Sequence, residues 1–146
     1  MEFVLDNGSI RVALSTAGGS FTSIAANGRE YLWQGDPAVW SGQVPICFPI
    51  CGGLRDGRAM TMGGREVKLA RHGFARKQEW KLEEQSDNMV ALSLRSADHA
   101  ELLEQYPYPF KIVARYTIDA EKVAVSYEVT NEGTEDMPFF VGGHPG

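Results

Sequence analysis

Cysteine is scarce in this chain. Its 146 residues include two, Cys47 and Cys51, set four apart around Phe48-Pro49-Ile50. Small secreted domains rely on dense disulfides, and this sequence has no such supply, so both are expected to be reduced thiols. Basic runs are missing as well. Lys and Arg number 14 against 19 Asp and Glu, for a formal net charge of −5. Nucleic-acid binding needs clustered Lys and Arg to neutralise phosphates, so nucleic acid is excluded as a partner. No apolar run approaches the ~20 residues of a membrane-spanning helix, and no membrane partner is expected. Met1-Glu2-Phe3-Val4-Leu5-Asp6 has neither the basic start nor the apolar core of a secretory signal. A cytoplasmic location is the expectation. There is no P-loop, and no glycine-rich run joins a strand to a helix start as dinucleotide binding requires.

What is present is an ordinary globular composition, 43% hydrophobic and 23% charged. That supports a folded domain with a core and argues against disorder. Three Trp, five Tyr and seven Phe suit the interiors of large sheets. They also suit sugar clefts, where flat rings cover C–H faces. Short alternating segments recur between turn signals. Phe3–Asp6 leads through Asn7-Gly8 to Ile10–Leu14, and Phe21–Ala25 leads through Asn27-Gly28 to Tyr31-Leu32-Trp33, an antiparallel meander. Residues 35–57 are interrupted by eight Gly and Pro positions, which excludes a regular central element and marks a long, functional type of loop. Met60–Val67 reads as a small hairpin. Val90, Leu92 and Leu94 share one face of a strand, with Ala91, Ser93 and Arg95 on the other. Ser96–Gln105 is the one convincing helix, capped by Ser96 and ended by Tyr106-Pro107-Tyr108-Pro109. Strands Phe110–Ile118, Val123–Thr130 and Met137–Gly142 follow. The spacing gives roughly nine or ten strands, an all-β antiparallel sandwich pattern in a single domain over 1–146. The chain stops just past His144, with no closing turn, and reads as the N-terminal part of a larger β-protein. Its unpaired edges ask for a second copy, as in a homodimer, or a C-terminal half.

Two histidines stand out. His72 lies in Arg71-His72-Gly73-Phe74-Ala75-Arg76, and His144 in Gly142-Gly143-His144-Pro145-Gly146. Flanking glycines let another backbone or a ligand approach closely, and imidazole exchanges protons near neutral pH. For His72 the alternative is a loop histidine bonded to a backbone carbonyl. His144 reads as functional, because two glycines serve no strand propensity. His99 reads as a solvated surface residue. Arg55, in Gly52-Gly53-Leu54-Arg55-Asp56-Gly57, is either a hydroxyl-holding donor or a surface charge paired with Asp56. A metal site from Cys47, Cys51, His72 and His144 is not expected. Cys-x3-Cys is not a standard zinc pair, and Pro49 stiffens the link. No nucleophile elbow supports a cysteine nucleophile with His144 as base.

With these residues in place, the chain resembles the aldose 1-epimerase (galactose mutarotase-like) family along essentially its whole length. The resemblance is carried by Trp33-Gln34-Gly35-Asp36, Pro45-Ile46-Cys47-Phe48-Pro49, Gly52-Gly53-Leu54-Arg55, His72-Gly73-Phe74-Ala75-Arg76, Tyr106-Pro107-Tyr108-Pro109-Phe110 and Gly142-Gly143-His144-Pro145. Their wording is most similar to the LacX-like branch, matched to the front half of the family. The resemblance implies a large antiparallel β-sandwich that interconverts the α and β anomers of free aldoses without metal or cofactor. It implies His144 as the general acid for the ring oxygen, with His72 and Arg55 holding the sugar. Trp40 would stack on the sugar. Ring opening requires one group to supply a proton while another removes one. In the family the base is a glutamate from the back half, and nothing in this chain lines up with it. Two neighbouring readings stay open: a hexose-6-phosphate epimerase, for which Arg58, Arg71 and Arg76 are available, and a carbohydrate-binding module without catalysis.

Overall fold

A computed structural model describes all residues from 1 to 146. Twelve strands are formed. The first four are β1 (Glu2–Asp6), β2 (Ile10–Ser15), β3 (Ser20–Ala26) and β4 (Arg29–Glu30). Short ones follow: β5 (Ile46–Cys47), β6 (Arg58–Met60) and β7 (Glu66–Lys68). Then come β8 (Lys81–Ser86), β9 (Met89–Arg95), β10 (Phe110–Asp119), β11 (Lys122–Asn131) and β12 (Gly142–Gly143). Two four-stranded sheets carry the fold, in the orders β1-β2-β3-β4 and β11-β10-β9-β8. Two small ribbons, β12-β5 and β6-β7, complete it. Every strand pair is antiparallel, as the sequence pattern predicts.

Alternation decides which faces meet. Phe3 and Leu5 of β1, and Ile10, Val12 and Leu14 of β2, point into one core. Phe110, Ile112, Ala114, Tyr116 and Ile118 of β10 enter the same core from the second sheet. Side chains of alternate residues lie on one face of a strand, so these sets are forced inward together. The β1–β2 turn is tightened by Asn7, whose Oδ1 accepts from the N–H groups of Ser9 and Ile10. The sheets are joined at Tyr116. Its ring packs edge-on against Phe21 at 4.7 Å, and its hydroxyl donates to the Gly19 carbonyl. Strand β9 is buried on both faces from Val90 to Leu94, as a central strand should be, and Arg95 alone emerges at its end.

Four expectations need correction. Ser96–Gln105 is not one α-helix but two 3₁₀ turns, Ser96–Asp98 and Ala100–Glu104. The break is at His99, whose backbone leaves the helical region (φ −139°, ψ 65°). Ser96 does not cap a helix. It is buried, its hydroxyl accepts from the Phe110 N–H at 2.9 Å, and it faces the Phe110 carbonyl at 3.3 Å. Tyr31-Leu32-Trp33 lies outside the strands: Tyr31 N–H still reaches Ile24, but Trp33 N–H turns to the Gly146 carbonyl. Finally, Met137–Gly142 is not a strand throughout. Only Gly142–Gly143 pairs, against Ile46–Cys47, which also gives the long loop at 35–57 a short ordered strand. No helix is long and apolar enough to cross a membrane.

Candidate functional site

The site is built on Phe48. Its ring is wholly buried and meets Phe74, Tyr106, Phe110 and Phe139 with centroids 5.1–6.3 Å apart. Such clustered aromatic pairs contribute about 0.5–1.5 kcal/mol each beyond their area. Its backbone holds the His72 segment: Phe48 N–H donates to the His72 carbonyl at 3.3 Å, and the Phe74 N–H returns to the Phe48 carbonyl at 3.0 Å. This close approach explains Gly73. A β-carbon there would stand 2.1 Å from the Phe48 carbonyl oxygen, and φ is +70°. His72 itself is in the left-handed region at φ +65°, a conformation that costs a non-glycine residue about 1–2 kcal/mol. The neighbouring bonds hold it there.

The imidazole is oriented by Gly52. Gly52 N–H donates to His72 Nδ1 at 3.0 Å, and the His72 N–H donates back to the Gly52 carbonyl at 2.7 Å. Nδ1 therefore acts as an acceptor, and the neutral ring carries its proton on Nε2. Burial, then the cationic Arg71, then His144 and Arg76, push the His72 pKa below its ordinary value. His72 is thus a neutral donor through Nε2–H near neutral pH. Arg76 is fixed by one bond, from its terminal nitrogen to the Arg71 carbonyl at 3.0 Å, while its buried Nε has no partner.

His144 arrives from the other side. Gly142 and Gly143 pair with Cys47 and Ile46, and the register continues as His144 N–H to Pro45 and Gly146 N–H to Gln43. The two imidazoles meet edge to face with centroids 5.4 Å apart. Trp40 also lies against His144, with centroids 5.5 Å apart. Trp40 is placed by its own carbonyl, which accepts from Trp33 Nε1 at 2.7 Å. His144 is exposed, His72 and Trp40 are half-buried, and the three rings form one open aromatic surface.

Three of the four residues singled out in the sequence are therefore neighbours. The fourth, Arg55, is exposed at the start of a single 3₁₀ turn, Arg55–Gly57, on the segment that carries Gly52. Its guanidinium makes no hydrogen bond and no ion pair, with Asp56 or any other residue. His99 is less solvated than expected: its side chain is 20% exposed and lies 3.5 Å from the Glu101 carboxylate. Both cysteines are free thiols, Cys47 buried and Cys51 exposed. No three His, Cys, Asp or Glu side chains gather into a metal-holding group. A groove of about 290 Å³ lies beside Trp40, lined also by Ser20, Thr22, Gln43, Arg76 and Lys77. It shares Trp40 with the ring cluster, but neither histidine lines it. Gly52, which holds His72, is not among the residues that chemistry alone singles out. The Gly52-Gly53 pair was the available signal, since a backbone N–H can be offered sideways where no side chain intervenes.

Comparison with known proteins agrees with this architecture. The family model described as aldose 1-epimerase matches residues 1–146. Protein LacX (plasmid) of Lactococcus lactis subsp. lactis is 42% identical over 151 residues, covering 99% of this chain and 50% of that protein. The crystal structure of a galactose mutarotase related enzyme from Lactobacillus acidophilus superposes with a TM-score of 0.93 at 30% identity, covering 99% of this chain and 48% of the other. A galactose mutarotase-like protein from Lactobacillus casei gives 0.92 at 26% identity, with 99% and 49% covered. The chain spans about half the length of the relatives it matches.

Proposed function

The chain belongs to the aldose 1-epimerase family, and from that premise we propose that its histidine pair is the sugar-facing surface of a carbohydrate isomerase that interconverts aldose anomers. The observation that carries this reading is the ring cluster: two imidazoles 5.4 Å apart, one of them backed by an indole at 5.5 Å. An indole face suits the apolar side of a pyranose, and two nitrogen heterocycles beside it suit its oxygens. His72, neutral and protonated on Nε2, is a hydrogen-bond donor to a sugar oxygen. His144, exposed and carried on a main chain bonded to Pro45, is the general acid that delivers a proton to the ring oxygen. Arg55 adds a cationic donor from the neighbouring segment. Breaking the bond between the anomeric carbon and the ring oxygen moves one proton onto that oxygen and passes another from the anomeric hydroxyl to a base, a role to which no residue of this chain is assigned. Rotation and reclosure then give the other anomer.

A phosphorylated sugar is the second reading that an observation favours. The groove beside Trp40 presents Arg76 and Lys77 and no carboxylate, in a chain whose net charge is −5.

Polarimetry of freshly dissolved α-D-glucose and α-D-galactose with chain 1–146 tests the proposal. A rate above buffer that His144→Ala lowers by about 100-fold or more, the usual contribution of a general acid, would support the acid role and require a base supplied within this chain or its assembly. A rate untouched by His144→Ala would remove His144 from the acid role. Sugar binding without any acceleration would leave the carbohydrate-binding function alone to this chain.

A further inference from the structure

We propose that Cys47 and Cys51 form a dithiol site that closes to a disulfide on meeting a small disulfide oxidant, and that closure acts on His72. Both side chains converge on Gly142. Cys47 is directly opposite Gly142 in the β5–β12 ribbon. Residues opposed in this way project to the same face, with β-carbons about 4.5–5.5 Å apart. A β-carbon on Gly142 would stand 3.3 Å from Cys51 Sγ. The Cys51 sulfur therefore occupies the space that a side chain at 142 would claim, next to the Cys47 side chain. Glycine at 142 keeps that space open.

The two thiols have different access. Cys51 is exposed, and Cys47 is 3% exposed. Burial, then the proximity of Cys51, push the Cys47 thiol pKa up. Cys51 is therefore the sulfur that an oxidant reaches first. As a thiolate it attacks one sulfur of oxidised glutathione, forming a mixed disulfide and releasing one glutathione. Cys47 then attacks the Cys51 sulfur, its proton leaves with the second glutathione, and the Cys47–Cys51 bond forms. Two protein thiols are oxidised and one glutathione disulfide is reduced to two thiols, so the exchange balances.

Each cysteine is next in sequence to a group that holds His72. Gly52, after Cys51, donates to the imidazole and accepts the His72 N–H. Phe48, after Cys47, donates to the His72 carbonyl. A covalent bond between the cysteines ties these two segments together and displaces Gly52 relative to the ring. The thiol chemistry stands apart from the sugar reading. Only its consequence at His72 touches that site.

The test treats chain 1–146 with oxidised glutathione and reads free thiols, intact mass and the histidine ring signals by NMR. The expected result is loss of both thiols, a mass lower by two hydrogens, no retained glutathione, and movement of the His72 signals but not those of His99. Cys51→Ser should keep its single thiol. Cys47→Ala should stop at a stable adduct with one glutathione on Cys51. A wild-type chain that stops at that adduct, or that links to a second chain, overturns the site. Closure that leaves the His72 signals in place overturns the coupling. None of these readings uses sugar turnover, so failure of the epimerase proposal would leave them intact.

Discussion

Replacing Gly73 with alanine tests how the His72 segment is held. Two costs can be separated. The first is backbone strain: at φ +70° an L-residue pays about 1 kcal/mol. The second is steric. The added β-carbon would lie 2.1 Å from the Phe48 carbonyl oxygen and 2.5 Å from its carbon, far inside the roughly 3.5 Å of an ordinary contact. Phe48 cannot yield, because it is wholly buried among four aromatic rings. Overpacking of this kind costs about 1–3 kcal/mol, for a total of about 2–4 kcal/mol. Gly8 supplies the control. Its φ is +84° and nothing lies within 4 Å of an added β-carbon, so Gly8→Ala should cost the strain alone, about 1 kcal/mol. Urea unfolding followed by tryptophan fluorescence gives both values, provided the slope with denaturant is unchanged. The Gly73 variant should also displace the His72 ring signals, and the Gly8 variant should not. Equal destabilisation by the two substitutions would refute the steric account of this site.

Two further predictions follow from single groups. Because burial and then Arg71 depress the His72 pKa, the folded chain resists a proton that the unfolded chain accepts. Stability linked to His72 is therefore complete above the ordinary imidazole value of about 6.5. It is lost as pH falls from there through the lowered folded value. An NMR titration of the His72 ring should show its midpoint below about 6.5, with Arg71→Ala raising it; a midpoint at or above that value would contradict the reading. Tyr116→Phe should cost about 1–3 kcal/mol in urea unfolding, because it leaves the buried Gly19 carbonyl without its donor. An unchanged midpoint would mean that this bond does not join the sheets.

Much of the fold could be read from alternation. Phe3 and Leu5, Ile10 to Leu14, and the even positions from Phe110 to Ile118 carry a period of two, and one face of each enters the core. The pattern failed where tertiary contacts overrode local preference. Ser96 has the side chain of a helix cap, but it bonds both backbone groups of Phe110 instead. Leu102 and Tyr106 are drawn into the core, and the turn around them tightens. Met137–Val141 has strand composition, yet Phe139 packs on Phe48 and the Phe140 N–H turns to Pro49, so the segment rides over the aromatic cluster before it pairs at Gly142.

The histidines were legible for a related reason. Each is followed or preceded by glycine, and the structure shows what closes on that glycine: the Phe48 carbonyl on Gly73, and the Tyr127 hydroxyl, 3.2 Å from an added β-carbon, on Gly143. What no local reading could supply is the distance between them. His144 hangs from Pro45 and His72 from Phe48, two positions only three residues apart in one segment. The separation of the imidazoles is therefore set by the main chain from 45 to 48 together with the Gly52 bonds that orient the His72 ring. This places the rigidity of the pair in the Phe48 cluster beneath it. A change in that cluster moves both rings together, whereas a change at Trp40 touches His144 alone. The chemistry of the surface thus depends on apolar residues that never face it, which is why the sequence could mark the two rings but not their geometry.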